Sequence, residues 1–190
     1  MTGEQINDLF MDKVDGDEFS SEEAALRSMN EKYRKLLGKK DWKFLKKTVT
    51  LPAGTTSLAG ITDLDKVLKV RVQTGQASTD VIELEKAEWE DRFNTDKDYY
   101  IDIVNNTVNF IGDGNSYAQY PLIIDYKYKP VDLIMETAPV FNSDFHPILA
   151  YAMAKDFKTA DENTDFYNEM SAKEEEIEED MDNYYENLDA

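Results

Sequence analysis

The sequence contains no cysteine and only one histidine, His146. It can therefore form no disulfide and no cysteine-based nucleophile or metal site, and a reducing compartment is the default expectation. One histidine cannot build a histidine-based metal cluster, and any Ser-His-Asp triad would depend on this residue alone. Because His146 stands between Phe145 and Pro147 at a predicted helix start, we expect a structural role for it. We predict no catalytic residue, no metal site and no cofactor.

Long apolar runs are missing as well. No stretch approaches 18 apolar residues, which argues against a membrane-spanning helix. Residues 1–18 lack the basic start and apolar stretch of a signal peptide, so we expect none. The sequence also lacks a phosphate-binding glycine loop, a dinucleotide fingerprint and a zinc-protease motif. The acid pairs Asp63/Asp65 and Asp96/Asp98 lie in turn-like contexts and are weak evidence for a hydrolase.

Basic residues are scarce relative to acidic ones. The 190 residues include 21 Lys and Arg against 40 Asp and Glu, which gives a formal net charge of −19. Such a chain repels a phosphate backbone, so a general nucleic-acid binder is excluded. The charge is uneven, because residues 22–47 carry a net +5 and residues 161–190 a net −12. The acidity belongs largely to the C-terminal segment.

Apolar residues at helical spacing predict two helices near the N-terminus. The first covers residues 3–15. The second follows a capping box formed by Ser20 and Glu23, and it ends at Gly38.

The spacing of apolar residues then changes from helical to strand-like, which predicts a β-rich region of about five to seven strands over residues 42–135. Asn105-Asn106 predicts a tight hairpin turn, since asparagine tolerates a positive φ. One or two helical turns are expected over residues 86–94, anchored by Trp89 and Phe93. The predicted strand segments are residues 42–46, 48–51, 67–72, 81–84, 99–104, 107–111 and 120–128.

Helical periodicity returns at the end of the chain. Ser143 or Asp144 caps a helix with Pro147 in its first turn, and a break over residues 160–163 precedes a long final helix. The order predicts an α+β fold, in which a helical bundle of residues 1–41 and 136–190 (two N-terminal and two C-terminal helices) carries an inserted β-rich domain of residues 42–135. The final helix bears a narrow apolar stripe at spacings of three, four or seven: Phe166, Met170, Ile177, Met181, Tyr184 and Leu188.

Two charged segments are candidates for interaction. The basic segment 27–47 is either a solvated helix end or a contact for an acidic surface, which would be nucleic acid or the acidic helix of a neighbouring copy. Trp42 and Phe44 alternate with lysines there, and we prefer a strand with one buried face to a base-stacking surface. The final helix is a frayed tail, a helix packed on its own domain, or a contact for another subunit or partner, because its clustered like charges require packing to offset their repulsion.

A recognisable layout runs through several segments of the chain: LRSMNEKYRKLLGKKDWKFLKK, then ITDLDKVLKVRV, EKAEWEDRFN, YYIDIVNNTVNFIG and YPLIIDYKYKPVDL, and finally PVFNSDFHPILAYAMAKDFKTADENTDFYNEM before the acidic helix. This layout resembles that of the head–tail connector (adaptor) proteins of tailed bacteriophages. The helix start at Phe145-His146-Pro147 and the Asp161-Glu162 break match the pattern best.

The resemblance implies a structural virion protein and no enzymatic activity. Such a protein forms a ring, expected to be a dodecamer, between the portal protein and a tail or neck protein, and genomic DNA passes through its lumen without specific binding. It would be made in the host cytoplasm and reside in the virion neck. Portal docking is predicted for Ile177, Met181, Tyr184, Tyr185 and Leu188, and subunit–subunit charge contacts for Lys39, Lys40, Lys46 and Lys47.

A second hypothesis is a monomeric β-module that binds a carbohydrate or another flat ligand through exposed tyrosines. The candidates are Tyr99, Tyr100, Tyr117, Tyr120, Tyr126 and Tyr128.

Overall fold

The computed structural model describes residues 1–16, 19–75, 80–93, 96–158 and 163–188. The protein is α+β, with helices and antiparallel sheets. Its chain divides into two compact units, which we call the helical unit (residues 1–44 and 130–190) and the β unit (residues 45–129).

The divisions fall a few residues from the predicted ones, at 44/45 and 129/130. Specific contacts tie the linking segments to the helices. The Trp42 indole N–H donates to the Leu36 carbonyl at 2.9 Å. On the other side, the Asn30 side chain accepts from the Leu133 N–H at 2.7 Å and donates to the Leu133 carbonyl at 2.9 Å.

The described helical unit contains four α-helices. They are α1 (Gly3–Lys13), α2 (Glu22–Gly38), α3 (Pro147–Phe157) and α4 (Thr164–Asn187). Helix α3 contacts each of the other three and is buried over most of its surface, as its few polar positions suggested.

The helix starts show how local sequence selects the boundaries. The side chain of Ser21 accepts from the Ala24 N–H and caps α2, so the predicted cap at Ser20 was wrong by one residue. A true capping box, which sequence reasoning missed, lies at α1, where Thr2 and Gln5 exchange side chain–backbone bonds. Pro147 occupies the first turn of α3 as predicted, although Asn142 rather than Ser143 or Asp144 caps the 3₁₀ turn that precedes it.

Six described strands build the β unit: β1 (Lys46–Leu51), β2 (Leu64–Gln73), β3 (Val81–Glu83), β4 (Tyr99–Asp102), β5 (Thr107–Phe110) and β6 (Leu122–Tyr128). Four of them form an antiparallel sheet in the order β1-β6-β2-β3, and β4 pairs with β5 as a hairpin. Alternate residues of β2 and β6 face a core shared with the hairpin, as expected for a sheet with one covered face. The buried members include Leu58, Val70, Val72, Tyr99, Val108, Leu122 and Ile124.

The predicted hairpin is confirmed, and two other local predictions were wrong. Asn106 adopts a φ of 55° in the β4–β5 turn. Residues 42–45 do not form a strand, because Lys43–Leu45 is a 3₁₀ turn and β1 begins only at Lys46. Residues 86–93 form no helix. Lys86 bridges to Tyr99, the Ala87 N–H donates to the Tyr99 carbonyl at 2.7 Å, and residues 90–93 form turns, with the Asp91 N–H donating to the Glu88 carbonyl at 3.0 Å. Asn94 and residues 160–162 of the predicted break lie outside the described residues.

Candidate interaction surfaces on the terminal helix

Helix α4 begins where the Asn163 side chain accepts from the Phe166 N–H at 3.1 Å. This cap satisfies one of the free N–H groups of the first turn. The helix then continues through the acidic segment to Asn187. The acidic C-terminal segment is therefore helical from Thr164 to Asn187. Its contacts show which of its side chains pack within this chain and which are open to a partner.

The inner face of α4 belongs to the core of the helical unit. Met170, Met181 and Tyr185 are buried, and α4 packs against α3. The Tyr185 hydroxyl accepts from the Asn142 N–H at 2.8 Å, and its ring lies 4.7 Å from that of Phe44. The apolar stripe thus serves packing within this chain, which offsets the repulsion among the helix's acids.

A row of acids beside this stripe is paired with lysines of the same chain. Glu174, Glu178 and Asp182 are spaced four residues apart and therefore lie in line along the helix. Their partners are Lys155 for Glu174, Lys39 for Glu178 and Lys40 for Asp182. One step further along, the Lys43 ammonium donates to the Glu186 carbonyl at 3.0 Å. We call this set the lysine–acid row.

The predicted docking residues of α4 differ in their exposure to solvent. Met181 and Tyr185 are buried in the helical unit and do not face outward. Ile177 is half-buried. Tyr184 and Leu188 are 41% and 54% exposed, so they are the members that a partner can reach in this structure.

The four lysines predicted to contact another subunit belong to different units of the chain: Lys39 and Lys40 to the helical unit, and Lys46 and Lys47 to the β unit. Lys39 and Lys40, which are predicted to contact another subunit, belong to the lysine–acid row and pair with Glu178 and Asp182 of their own chain. In the β unit, Lys47 pairs with Asp63 at 2.6 Å and lies 4.1 Å over the Tyr128 ring. Lys46 is exposed at the start of β1.

The Asp63 carboxylate holds a small network in the β unit. The ammonium of Lys47 beside it lowers the pKa of Asp63 and is stabilised in turn, so the pKa of Lys47 is raised. The Tyr126 hydroxyl donates to the same carboxylate at 3.1 Å. Both charged groups are open to solvent, so this network adds little to stability.

A buried lysine, Lys32, lies between α2 and α3, where it pairs with Asp156. Burial lowers the pKa of Lys32, and the nearby Glu31 carboxylate opposes this effect. Neither sequence spacing nor composition marks this residue, because the burial arises from the packing of α2 on α3.

His146 is buried, and each ring nitrogen faces a backbone carbonyl: Nε2 lies 2.9 Å from the Phe141 oxygen and Nδ1 2.9 Å from the Met1 oxygen. Burial lowers the pKa of His146. The ring packs edge-on against Phe141. These contacts hold the segment before α3.

The tyrosines proposed for a ligand surface face different ways. Tyr99 and Tyr126 belong to the buried core of the β unit, and burial raises the pKa of Tyr99 to about 12. The other four candidates, Tyr100, Tyr117, Tyr120 and Tyr128, are half-buried. A flat stacking ligand therefore meets no fully exposed tyrosine in this set.

Two further observations concern chemistry and membranes. Within the described ranges, no three His, Asp or Glu side chains lie close enough together to hold a metal ion. None of the helices that the structure describes has the length and apolar character needed to cross a membrane.

No protein-family model matches the chain, and a search of curated protein sequences finds no significant match.

Proposed function

We propose that this protein is a head–tail connector of tailed bacteriophages. It is a structural virion protein, not an enzyme, which forms a ring that joins the portal of the capsid to the tail or neck. Genomic DNA passes through the lumen of this ring without being specifically bound. The protein is made in the host cytoplasm and resides in the virion neck, and it requires no cofactor.

One observation carries the proposal. Two N-terminal and two C-terminal helices belong to a single compact unit, while residues 45–129 form a second unit between them in sequence. This supports a helical bundle with an inserted β domain, the arrangement implied by the resemblance. A dodecameric ring follows from the same resemblance.

The exposed part of α4 is the portal-docking surface in this proposal. With Met181 and Tyr185 committed to the core, docking falls to Tyr184 and Leu188, with Ile177 at the margin. Tyrosine is one of the side chains enriched at the anchoring positions of protein interfaces, and the exposed Leu188 adds apolar area near it.

The direct test is co-sedimentation with purified portal protein and measurement of mass by analytical ultracentrifugation. We expect the wild type to form a ring alone or on the portal, and the double variant Tyr184→Ser/Leu188→Ser to lose portal binding at least tenfold. Deletion of residues 165–190 is less informative, because it removes the buried Met170, Met181 and Tyr185.

The chain offers a matched control. Ile103 and Val104 at the tip of the β4–β5 hairpin are 85% and 91% exposed, and replacing both by serine removes a similar apolar area. Portal binding should survive in that variant. A wild-type protein that stays monomeric and ignores portal would overturn the connector, and saturable oligosaccharide binding by that monomer would favour the β-module instead.

A further inference from the structure

The four-stranded sheet of the β unit has two edges, formed by β1 and β3. Each of the three strand pairings in the order β1-β6-β2-β3 is antiparallel, so β1 and β3 run in opposite directions. When two copies are placed side by side in the same orientation, β1 of one copy is therefore antiparallel to β3 of the next. The sheet can continue from copy to copy without turning either one over.

The backbone groups at the β1 edge point away from the sheet at every second residue. The Gln73 N–H donates to the carbonyl of Pro121, the residue before β6, at 3.1 Å. Odd-numbered residues of β6 are thus bonded to β2, and even-numbered ones are bonded to the odd-numbered residues of β1. The outward-facing residues of β1 are Lys46, Thr48 and Thr50. All three are exposed, and their backbone groups have no other partner among the described residues.

The outward-facing residues at the β3 edge are Val81 and Glu83. The Leu84 N–H donates to the Val70 carbonyl at 3.0 Å, so the even-numbered residues of this segment face β2. The Glu85 carbonyl accepts from two backbone N–H groups where β4 begins, at 2.9 and 3.3 Å, so the edge is covered from Glu85 onward. Within the described ranges, Val81 and Glu83 have no such partner on their outward side.

The covered end of β3 selects the register of an added strand. Since β1 begins at Lys46, it fits beside the open part of β3 with Lys46 opposite Glu83 and Thr48 opposite Val81. A shift of two residues would place Lys46 against the covered Glu85. The selected register sets a lysine of one copy directly opposite a glutamate of the next, and opposite charges at such positions stabilise a sheet.

The side chains at the two edges fit this pairing. Ile82 lies on the core-facing side of the sheet, opposite the buried Val72, yet it is 40% exposed at the edge. A strand added beside β3 covers it. Glu83 pairs with Lys69 at 2.8 Å and is exposed, so its carboxylate can accept from a second ammonium group. Lys46 has no acidic partner in the part of the chain that the structure describes.

We propose that β1 of one copy pairs with β3 of a second copy, so that neighbouring β units share one continuous antiparallel sheet. Addition of a strand to an exposed sheet edge is a recurrent mode of protein recognition, in which main-chain hydrogen bonds supply the affinity. The contact joins two different surfaces, so it is head-to-tail and can close into a ring. The inference rests on the proposed ring-forming function and leaves Tyr184 and Leu188 for the portal.

The charges of the two edges favour this pairing over the pairing of like edges. β1 carries Lys46 and Lys47 and no acid, whereas β3 carries Glu83 and no base. Two β1 strands would bring four lysines together, and lysines on an edge strand oppose such self-pairing. The acid-bearing edge of β3 attracts β1 instead.

Cysteine cross-linking tests the register, because the wild-type chain has no cysteine. In the proposed pairing Lys47 of one copy lies opposite Ile82 of the next, at a non-hydrogen-bonded position with Cα atoms about 4.5 Å apart, where a disulfide fits. Within one chain β1 and β3 are three strand spacings apart, about 14 Å, which is too far for a disulfide. On oxidation, with and without portal, Lys47→Cys/Ile82→Cys should give a series of covalent multimers on a non-reducing gel.

The two single variants are the controls for this cross-link. Lys47→Cys alone and Ile82→Cys alone should remain uncross-linked, and their mixture should give covalent dimers and nothing larger. Dimers of Lys47→Cys alone would show pairing of β1 with β1 and overturn the proposal. Absence of multimers from the double variant would also overturn it.

A proline substitution tests whether the backbone of β1 makes the contact. Thr48→Pro removes an N–H that faces away from the sheet, which an edge strand tolerates, and should weaken copy–copy association about tenfold in sedimentation experiments. Thr48→Ala keeps that N–H and should assemble like the wild type. Circular dichroism checks that both variants are folded.

Charge exchange tests the pair formed by Lys46 and Glu83. Lys46→Glu alone and Glu83→Lys alone should each weaken association at low salt, because each sets like charges opposite one another. Mixing the two variants should restore association, and so should both changes in one chain. Arg27→Glu and Glu90→Lys make the same charge changes at exposed positions away from both edges and should have no effect.

The outcomes separate this contact from the connector function. Assembly of Thr48→Pro and Lys46→Glu at wild-type strength would overturn the contact while leaving a portal-binding ring intact. Cross-linked multimers from a protein that never binds portal would support the contact and overturn the connector.

Discussion

At the scale of single residues, Asn30 shows how one buried amide fixes a chain segment. Its side chain satisfies both the N–H and the carbonyl of Leu133, at 2.7 and 2.9 Å, inside the helical unit. The pairing resembles one rung of a β-ladder made by a side chain. It holds the segment that follows the β unit against the middle of α2.

We expect Asn30→Ala to lower the free energy of unfolding by about 2 kcal/mol. The substitution leaves the buried N–H and carbonyl of Leu133 without partners. Each unpaired buried group costs roughly 1–3 kcal/mol, and a water molecule that enters the site and bonds to these groups reduces the cost. Urea denaturation followed by circular dichroism measures the change. Asn7→Ala, on the half-exposed face of α1, is the control and should cost less than half as much. Equal effects of the two changes would show that the Leu133 bonds contribute nothing specific.

His146 gives the protein a pH-dependent stability in a defined window. Burial lowers its pKa in the folded state below the ordinary value of 6.5, and the Phe141 carbonyl opposes that effect. The unfolded chain therefore binds a proton more readily than the folded one. Stability is fully present above about pH 6.5 and is lost as the pH falls through the folded-state pKa, with a slope of at most about 1.4 kcal/mol per pH unit.

The comparison with His146→Gln isolates this effect from the carboxylates. The variant is expected to be less stable at pH 7.5, since it changes a packed ring, but its free energy of unfolding should vary less between pH 7 and pH 5.5. Urea titrations at several pH values give the two slopes. Parallel curves for wild type and variant would show that His146 does not titrate on unfolding.

At the scale of secondary-structure elements, α4 has two acidic sides with different energetics. Glu174 is largely buried and pairs with Lys155, whereas its neighbour Glu175 is exposed and has like charges three and four residues away. The same substitution at adjacent positions should therefore have opposite effects.

We expect Glu174→Gln to destabilise the protein by about 1 kcal/mol, because it leaves Lys155 without its charged partner in a poorly solvated place. Glu175→Gln should be neutral or stabilising by about 0.3 kcal/mol, because it relieves repulsion along the helix. Thermal unfolding at low and high salt measures both. Salt should reduce the gain at position 175, and a loss of stability there would contradict the assignment of an unpaired outer side.

The sequence predicts elements that depend on local backbone preferences better than elements that depend on tertiary contacts. The Asn105-Asn106 turn was predictable because the positive φ is a local preference of asparagine, and the structure has it at Asn106. The helix predicted over residues 86–93 is wrong because the backbone of Lys86 and Ala87 pairs with Tyr99, a tertiary contact that overrides the local pattern, and residues 90–93 form turns. The same holds for Lys43–Leu45, whose neighbour Trp42 is fixed by a bond to α2.

At the scale of the whole molecule, sequence indicated charge matching but not which chain supplies each partner. Lys39 and Lys40 are predicted to make charge contacts with another subunit, and in the structure they pair with acids of α4 in their own chain. Spacing along α4 shows that acids lie in rows, yet it does not distinguish the row that pairs with Lys39, Lys40 and Lys155 from the row that faces solvent. Strand register escaped prediction for a related reason, since only the pairing of β1, β2 and β6 brings Lys46, Lys66 and Lys127 to one level of the sheet.

The first and last strands of the β unit, β1 and β6, are paired with each other, so the two ends of the unit lie close together. Lys46 at the start of β1 is directly opposite Lys127 near the end of β6, and opposed residues in an antiparallel pair have Cα atoms about 5 Å apart. The unit also has its own buried cluster, formed by side chains of β2, β5 and β6 with Leu58 and Tyr99. A short linker can therefore bridge its point of insertion, and the unit holds enough apolar burial to fold by itself.

We expect a fragment of residues 46–129 to fold alone, and a chain in which residues 1–44 and 130–190 are joined by a Gly-Ser linker of about four residues to fold as well. Dispersed amide resonances in a ¹⁵N-correlated NMR spectrum and a cooperative thermal transition measure folding of each piece. As a control, Gly114→Ala should unfold the 46–129 fragment, because a Cβ at this position would lie 2.0 Å from the Asp98 carbonyl oxygen.

A collapsed spectrum for the unmodified fragment would mean that its core depends on the helices, and a collapsed spectrum for the joined helices would mean that they depend on the β unit. Two folded pieces would mean that neither unit requires the other in order to fold.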